Sequence, residues 1–165
     1  MANHCYNGIS FYGKDLTKIK SMLAEAVEEN TVNGLGWLPD SVINAELDYV
    51  HYLFDVDVYE ESEDRISINC WTKWSPPLNE LEYICREAKV NCTCWYEESG
   101  MELYGEANYN LETDCTTDVR LTDEEVNRVQ YDEENDVYLW DGKPIESDSE
   151  AYQEMLDEKL NNKSF

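Results

Sequence analysis

Residues 50–88, VHYLFDVDVYEESEDRISINCWTKWSPPLNELEYICREA, carry the pattern on which the fold turns. From Val50 to Tyr59, Phe54, Val56 and Val58 alternate with Asp55 and Asp57, the period of two of a half-buried strand. EESEDR (60–65) reads as a turn. Ile66, Ile68, Cys70 and Thr72 then alternate with Ser67, Asn69, Trp71 and Lys73 in a partner strand. Ser75 is placed to cap the helix that follows. Pro76 and Pro77 suit its first turn, and Leu78, Leu81, Ile84, Cys85 and Ala88 form its apolar stripe.

Working outward, residues 5–12 read as a strand around Tyr6, Ile9 and Phe11 that stops at Gly13. The spacing of Leu16, Ile19, Leu23, Ala26 and Val27 predicts a helix, with Asp15 near the positive end of its dipole. NGLGWLPDS (33–41) reads as an ordered loop pinned by Trp37 and Leu38. Residues 92–97 and 101–109 are strands joined at Ser99-Gly100. The order is β-α-β-β-α-β with one further strand. It predicts the α+β class: a ferredoxin-like split β-α-β sandwich on an antiparallel sheet, occupying residues 1–110. Residues 111–165 read as an acidic C-terminal extension. They hold a capping box at Leu121-Thr122-Asp123-Glu124-Glu125 before a short helix, a hairpin about Asp141-Gly142, and a terminal helix marked by Tyr152, Met155, Leu156 and Leu160. That piece has too little core to stand by itself, so it is expected to pack on the main sheet.

The chain has 165 residues, 42% of them hydrophobic, with five Trp and twelve Tyr, which is enough for one genuine core and argues against disorder. Its 37 acidic and 12 basic residues leave a formal charge of −25. Duplex DNA as long as a compact chain of this size, about 40 Å, carries roughly 24 charges. The protein is therefore expected to repel nucleic acid and to attract what binds nucleic acid. Six cysteines, with no signal-like start at Met1-Ala2-Asn3-His4, read as reduced thiols of a cytoplasmic protein, and no apolar run reaches membrane-spanning length.

Three segments, MANHCYNGISFYG (1–13), CWTKWSPPLNELEYICREA (70–88) and WYEESGMELYGEANY (95–109), resemble the YubB-type ferredoxin-like family of conjugative plasmids and phages. Asn3, Cys5 and Asn7 match its opening, with His4 where the family has an aromatic residue. Its Trp-Ser-Pro-Pro element is matched by Trp74, Ser75, Pro76 and Pro77, and its hairpin by Glu98 and Gly100. The likeness covers residues 1–110. The family's Gly-Thr-Lys-Trp insertion ahead of the second strand has no counterpart, nor does the acidic stretch after Leu111 in the family. The resemblance implies a fold and a mobile-element origin, with the host cytoplasm as location, and no activity.

The residues themselves predict no enzyme and no cofactor. A C-x-C at Cys92 and Cys94 with His4 beside Cys5 lacks the second Cys pair of a structural zinc site. The run Asp132–Asp136 begins like a calcium loop and fails, with Val137 in place of the glycine and Lys143 in place of the closing glutamate. Asp55 and Asp57 share a solvated strand face, where nothing raises a pKa for acid catalysis. His4 and His51 have no evident nucleophile nearby, and no phosphate loop or nucleophile elbow occurs. The expected function is binding: an acidic nucleic-acid mimic that inhibits a basic nucleic-acid-binding protein such as a defence nuclease. The expected contacts are Asp55, Asp57, Glu60, Glu61, Glu63, Asp64, Glu97, Glu98, Glu102, Asp132, Glu133, Glu134 and Asp136. The alternative is a structural or regulatory interaction module, its charge serving solubility, with contacts by Trp37, Trp71, Trp74 or Trp140. Neither reading predicts direct nucleic-acid or membrane binding, and neither fixes the oligomeric state.

Overall fold

Alternation along the first strand, β1 (His4–Tyr12), fixes the two faces of the main sheet: Cys5, Asn7, Ile9 and Phe11 are buried, and the residues between them are not. The computed structural model describes residues 3–163. After β1 come α1 (Thr17–Asn33), a short α2 (Asp40–Ile43), β2 (Phe54–Glu61), β3 (Arg65–Lys73), α3 (Leu78–Ala88), β4 (Asn91–Glu98) and β5 (Leu103–Asn110). Then follow β6 (Cys115–Arg120), α4 (Asp123–Val126), β7 (Val129–Asp132), β8 (Val137–Trp140), β9 (Lys143–Ile145) and α5 (Asp148–Lys163). The main sheet runs β2-β3-β1-β4-β5-β6, every pair antiparallel. Its first four positions are the strand order of a split β-α-β unit, so the ferredoxin-like fold expected from sequence is the fold observed.

One face of the sheet is covered by α1 and α3, which bury Ile19, Met22, Leu23 and Ala26, and Leu81, Ile84 and Cys85, against Ile9, Phe11, Ile66, Ile68 and Tyr96. The opposite face is covered only at its β4–β6 end. There Tyr104 and Val119 meet Ala151, Tyr152, Met155 and Leu156 of α5, with Trp95, Val129 and Trp140 at the margin. The rings of Tyr104 and Tyr152 stack with centroids 4.1 Å apart. The capping box is present, Thr122 and Glu125 each accepting from the other's backbone N–H. The β8–β9 turn is made by Asp141 (φ 51) and Gly142 (φ 80), the left-handed pair a tight hairpin requires.

Several local expectations need correction. Tyr6 lies on the face opposite Ile9 and Phe11, because it is odd in phase with them. Phe54 lies opposite Trp71, away from Val56 and Val58, because a bulge at Asp55 (φ 50) shifts the β2–β3 register between Phe54 and Asp57. Met22 replaces Val27 on the buried stripe of α1; Val27 falls at its flank and is exposed. No side chain caps α3. The main domain does not end at residue 110, since β6 pairs with β5 from Gly105↔Arg120 to Asn110↔Cys115. β7 joins the predicted hairpin to make a three-stranded sheet, β7-β8-β9.

Candidate interaction surface

The half of the outer face that α5 leaves open is formed by β2, β3 and β1, and its side chains follow from strand phase. Tyr6 of β1 and Trp71 of β3 are directly paired, their rings edge to face with centroids 5.0 Å apart. His4 packs against Trp71 at 6.3 Å, and Trp95 against Tyr6 at 6.0 Å. Phe54 faces Trp71 from β2, and the Lys73 ammonium lies 5.7 Å from the Phe54 ring. His4, Gly34, Phe54, Asp55, Trp71 and Lys73 enclose a depression of about 320 Å³. Trp71 is 39% exposed and Trp74, in the left-handed region at φ 70, is 44% exposed.

Carboxylates rim this face along its free edge. Asp55, Asp57, Glu60, Glu61, Glu63 and Asp64 are all exposed on β2 and the turn that follows. Among the described residues one of the six has an ion-pair partner, Glu61 with Lys20 at 3.2 Å. Glu60 accepts from the Ser67 hydroxyl at 2.9 Å and Asp64 from the Ser62 hydroxyl at 3.1 Å. The negative field reaches the aromatic residues: burial first, then neighbouring groups including Glu97 and Asp57, raise the Tyr6 phenol above its ordinary value. Glu97, opposite Tyr6 across the β1–β4 pairing, is raised by burial and then by Asp148.

A family model described as the ferredoxin-like domain in Api92-like protein matches residues 53–141, from the start of β2 to the β8–β9 turn. The chain belongs to that family. No curated protein and no solved structure matches the chain. The Api92-like match takes in β2, β3 and their acidic turn, and also β7 and β8 of the small sheet, while β9 and α5 lie beyond it. Among the described residues no helix is long and apolar enough to cross a membrane.

The other expected contacts are dispersed in this Api92-like domain. Glu98 is buried and accepts from the amides of Gly100 (3.1 Å) and Met101 (2.6 Å), so it shapes the β4–β5 turn and faces no partner. Glu102 is exposed beside it. Asp132, Glu133, Glu134 and Asp136 form the β7–β8 turn, in the second sheet. There Asp132 holds the amides of Glu134 and Asn135, and Asp136 accepts from Tyr131. Trp37 is 4% exposed and is a core residue, its indole N–H donating to Glu25 at 3.3 Å. Trp140 packs at the margin of the α5 cluster with Arg128 over its ring at 5.6 Å. Of these four tryptophans, Trp71 and Trp74 are the exposed ones.

Tyr6, His4, Phe54 and Lys73 were missed by sequence reading; the phase of Tyr6 against Ile9 was the one available signal. Five cysteines are buried and Cys115 is exposed, all six as free thiols. Burial pushes Cys5 up to about 12 and raises Cys70 and Cys94. No group of three or more His, Cys, Asp or Glu among the described residues is placed to hold a metal ion. His51, expected to lack a nucleophile nearby, has its Nε2 2.8 Å from the Ser75 hydroxyl.

Proposed function

We propose that the protein acts as a binding protein at this surface, engaging a basic protein partner of the class that otherwise holds nucleic acid. The observation that carries the reading is the run of six exposed carboxylates on an edge strand and its turn, flanked by an open aromatic face. Aromatic anchors inside a charged rim are the usual make-up of an energetic interface centre, and the charge adds long-range attraction to a cationic groove. Direct contact with nucleic acid is opposed by the charge of −25. The resemblance to YubB-type proteins of plasmids and phages favours a basic nuclease of host defence as the target, with the carboxylates standing in for phosphates. A structural or regulatory role is the second reading, favoured by the exposure of Trp71 and Trp74.

The test is capture of partners from host extract at low and high salt. Wild type is compared with a variant carrying the amide at Asp55, Asp57, Glu60, Glu61, Glu63 and Asp64, and with Trp71→Ala. Mimicry gives a basic partner that is lost at high salt and with the amide variant. Binding that survives both and disappears with Trp71→Ala supports the second reading. Recovery of neutral or acidic partners only, insensitive to salt, refutes the first.

A further inference from the structure

Three side chains outside the binding surface form a connected set that the binding function does not use. Ser75 lies between β3 and α3, His51 precedes β2, and Glu80 stands in the first turn of α3. Glu80 is fully buried. Its Oε1 receives the backbone N–H of His51 at 2.8 Å and lies 3.1 Å from His51 Nδ1, and its Oε2 lies 3.3 Å from the same nitrogen. A carboxylate beside Nδ1 favours the ring tautomer with its proton on Nδ1, which leaves a lone pair on Nε2. In that tautomer Nε2 accepts from the Ser75 hydroxyl, 2.8 Å away. Nucleophile, base and orienting carboxylate stand in the order and distances of a serine triad, which is recognised by geometry and roles whatever the sequence spacing.

The backbone around Ser75 adds to this. Ser75 ends a strand-to-helix turn, directly after Trp74 at φ 70, a conformation that bulky residues rarely adopt and that clusters at functional sites. Ser75 is a half-buried residue next to the exposed Trp74, and the exposed Tyr49 ring packs edge-on against His51 at 4.8 Å. The next two residues are prolines without N–H groups, and the Leu78 amide is spent on Pro76. The nearest uncommitted donors in sequence are therefore the Asn79 and Glu80 amides, in the first turn of α3, where the helix is positive.

We infer that Ser75, His51 and Glu80 form an acyl-transfer centre for carboxylic esters with an apolar acyl or aryl group. Ser75 Oγ bonds to the ester carbonyl carbon as its proton passes to His51 Nε2. The tetrahedral adduct expels the alcohol oxygen, which takes the proton from Nε2 and leaves an acyl-Ser75. Water then adds to that carbonyl, giving a proton to Nε2. The carboxylic acid departs as Ser75 recovers its proton. The amides of Asn79 and Glu80 are the free donors offered to the oxygen that gains charge, and Glu80 is a positioning residue that fixes the tautomer.

The test uses the full chain and two probes, a fluorophosphonate and p-nitrophenyl acetate. The expected result is a single phosphonyl adduct on the peptide containing Ser75, formed with loss of fluoride, and release of p-nitrophenol above the buffer rate. Ser75→Ala abolishes both without changing the melting temperature. Glu80→Gln slows adduct formation by about tenfold or more, within the range of general-base effects. In ¹⁵N-histidine spectra the wild type shows Nε2 as the unprotonated ring nitrogen, and Glu80→Gln loses that preference. A folded wild type that forms no adduct at Ser75, or a Ser75→Ala variant that is phosphonylated or releases p-nitrophenol as fast as wild type, overturns the proposal. Neither outcome depends on the partner-binding surface.

Discussion

Replacing Leu156 by Ala tests whether the C-terminal elements belong to one cooperative unit with the main sheet. Leu156 is fully buried in α5, in a cluster with Tyr104, Val119, Leu121, Val126, Tyr152 and Met155. The change removes three carbons, about 2.4 kcal/mol of transfer free energy at ~0.8 kcal/mol each, and the cavity left behind brings the loss to roughly 3–4 kcal/mol. For a chain of this size a loss of 1 kcal/mol lowers Tm by about 2–4 °C, so a fall of roughly 6–16 °C is expected. Thermal melts would be followed by far-UV circular dichroism, which reports the whole chain, and by near-UV dichroism. Trp95 and Trp140 border the α5 cluster and Trp37 lies in the other core, so the near-UV signal samples both. If the outer-face cluster is integral, the two signals shift together in a single transition. An early near-UV step with the main helical transition left in place, or a fall below about 2 °C, would refute the reasoning.

Acidification offers a second check. Burial raises the carboxyls of Glu97 and Glu106, with Asp148 adding to the first and Asp157 to the second. Both groups therefore bind protons more readily folded than unfolded, so their own contribution to stability rises as pH falls from neutral towards their ordinary carboxylate values. Glu97→Gln with Glu106→Gln should stabilise the protein at pH 7 and flatten that rise in urea titrations; an unchanged slope contradicts the assignment. With a thiol reagent, native protein should react at Cys115 only, and all six cysteines should react in denaturant; a second fast native thiol would contradict their burial. Gly105→Ala should cost about 1–3 kcal/mol or more, since a Cβ there overlaps the Tyr96 phenol and comes within 2.8 Å of the Val119 carbonyl. A melting temperature equal to wild type would show that Tyr96 can move aside.

The order of strands and helices was legible because each of the seven elements read between Cys5 and Tyr109 repeats its apolar residues with a strand or helix period, whereas the four-residue α2 is too short to show one. β6 was not, because CTTDVR buries a single apolar side chain, Val119, and leaves nothing to alternate with. Phe54 was assigned the wrong face because the bulge at Asp55 changes strand phase without any glycine to announce it. Ser75 has the composition of a helix cap, and its hydroxyl is drawn instead to a histidine 24 residues earlier. Trp37 looked like a surface anchor in a polar loop. Backbone bonds to Leu53 in both directions, at 2.8 and 3.0 Å, turn that loop inward. The acidic edge was visible as composition, whereas the aromatic face beside it required the pairing of Tyr6 with Trp71, which no local pattern specifies.

The position of β2 at the outer rim of the sheet carries one more consequence. A strand with a free side offers unpaired amide and carbonyl groups to any other extended chain, its own copies included. Here two molecules approaching rim to rim would bring twelve carboxylates together, so strand addition between copies is suppressed while a polypeptide rich in lysine or arginine meets no such barrier. The same side chains that invite a cationic visitor thereby keep the molecule from zipping onto itself.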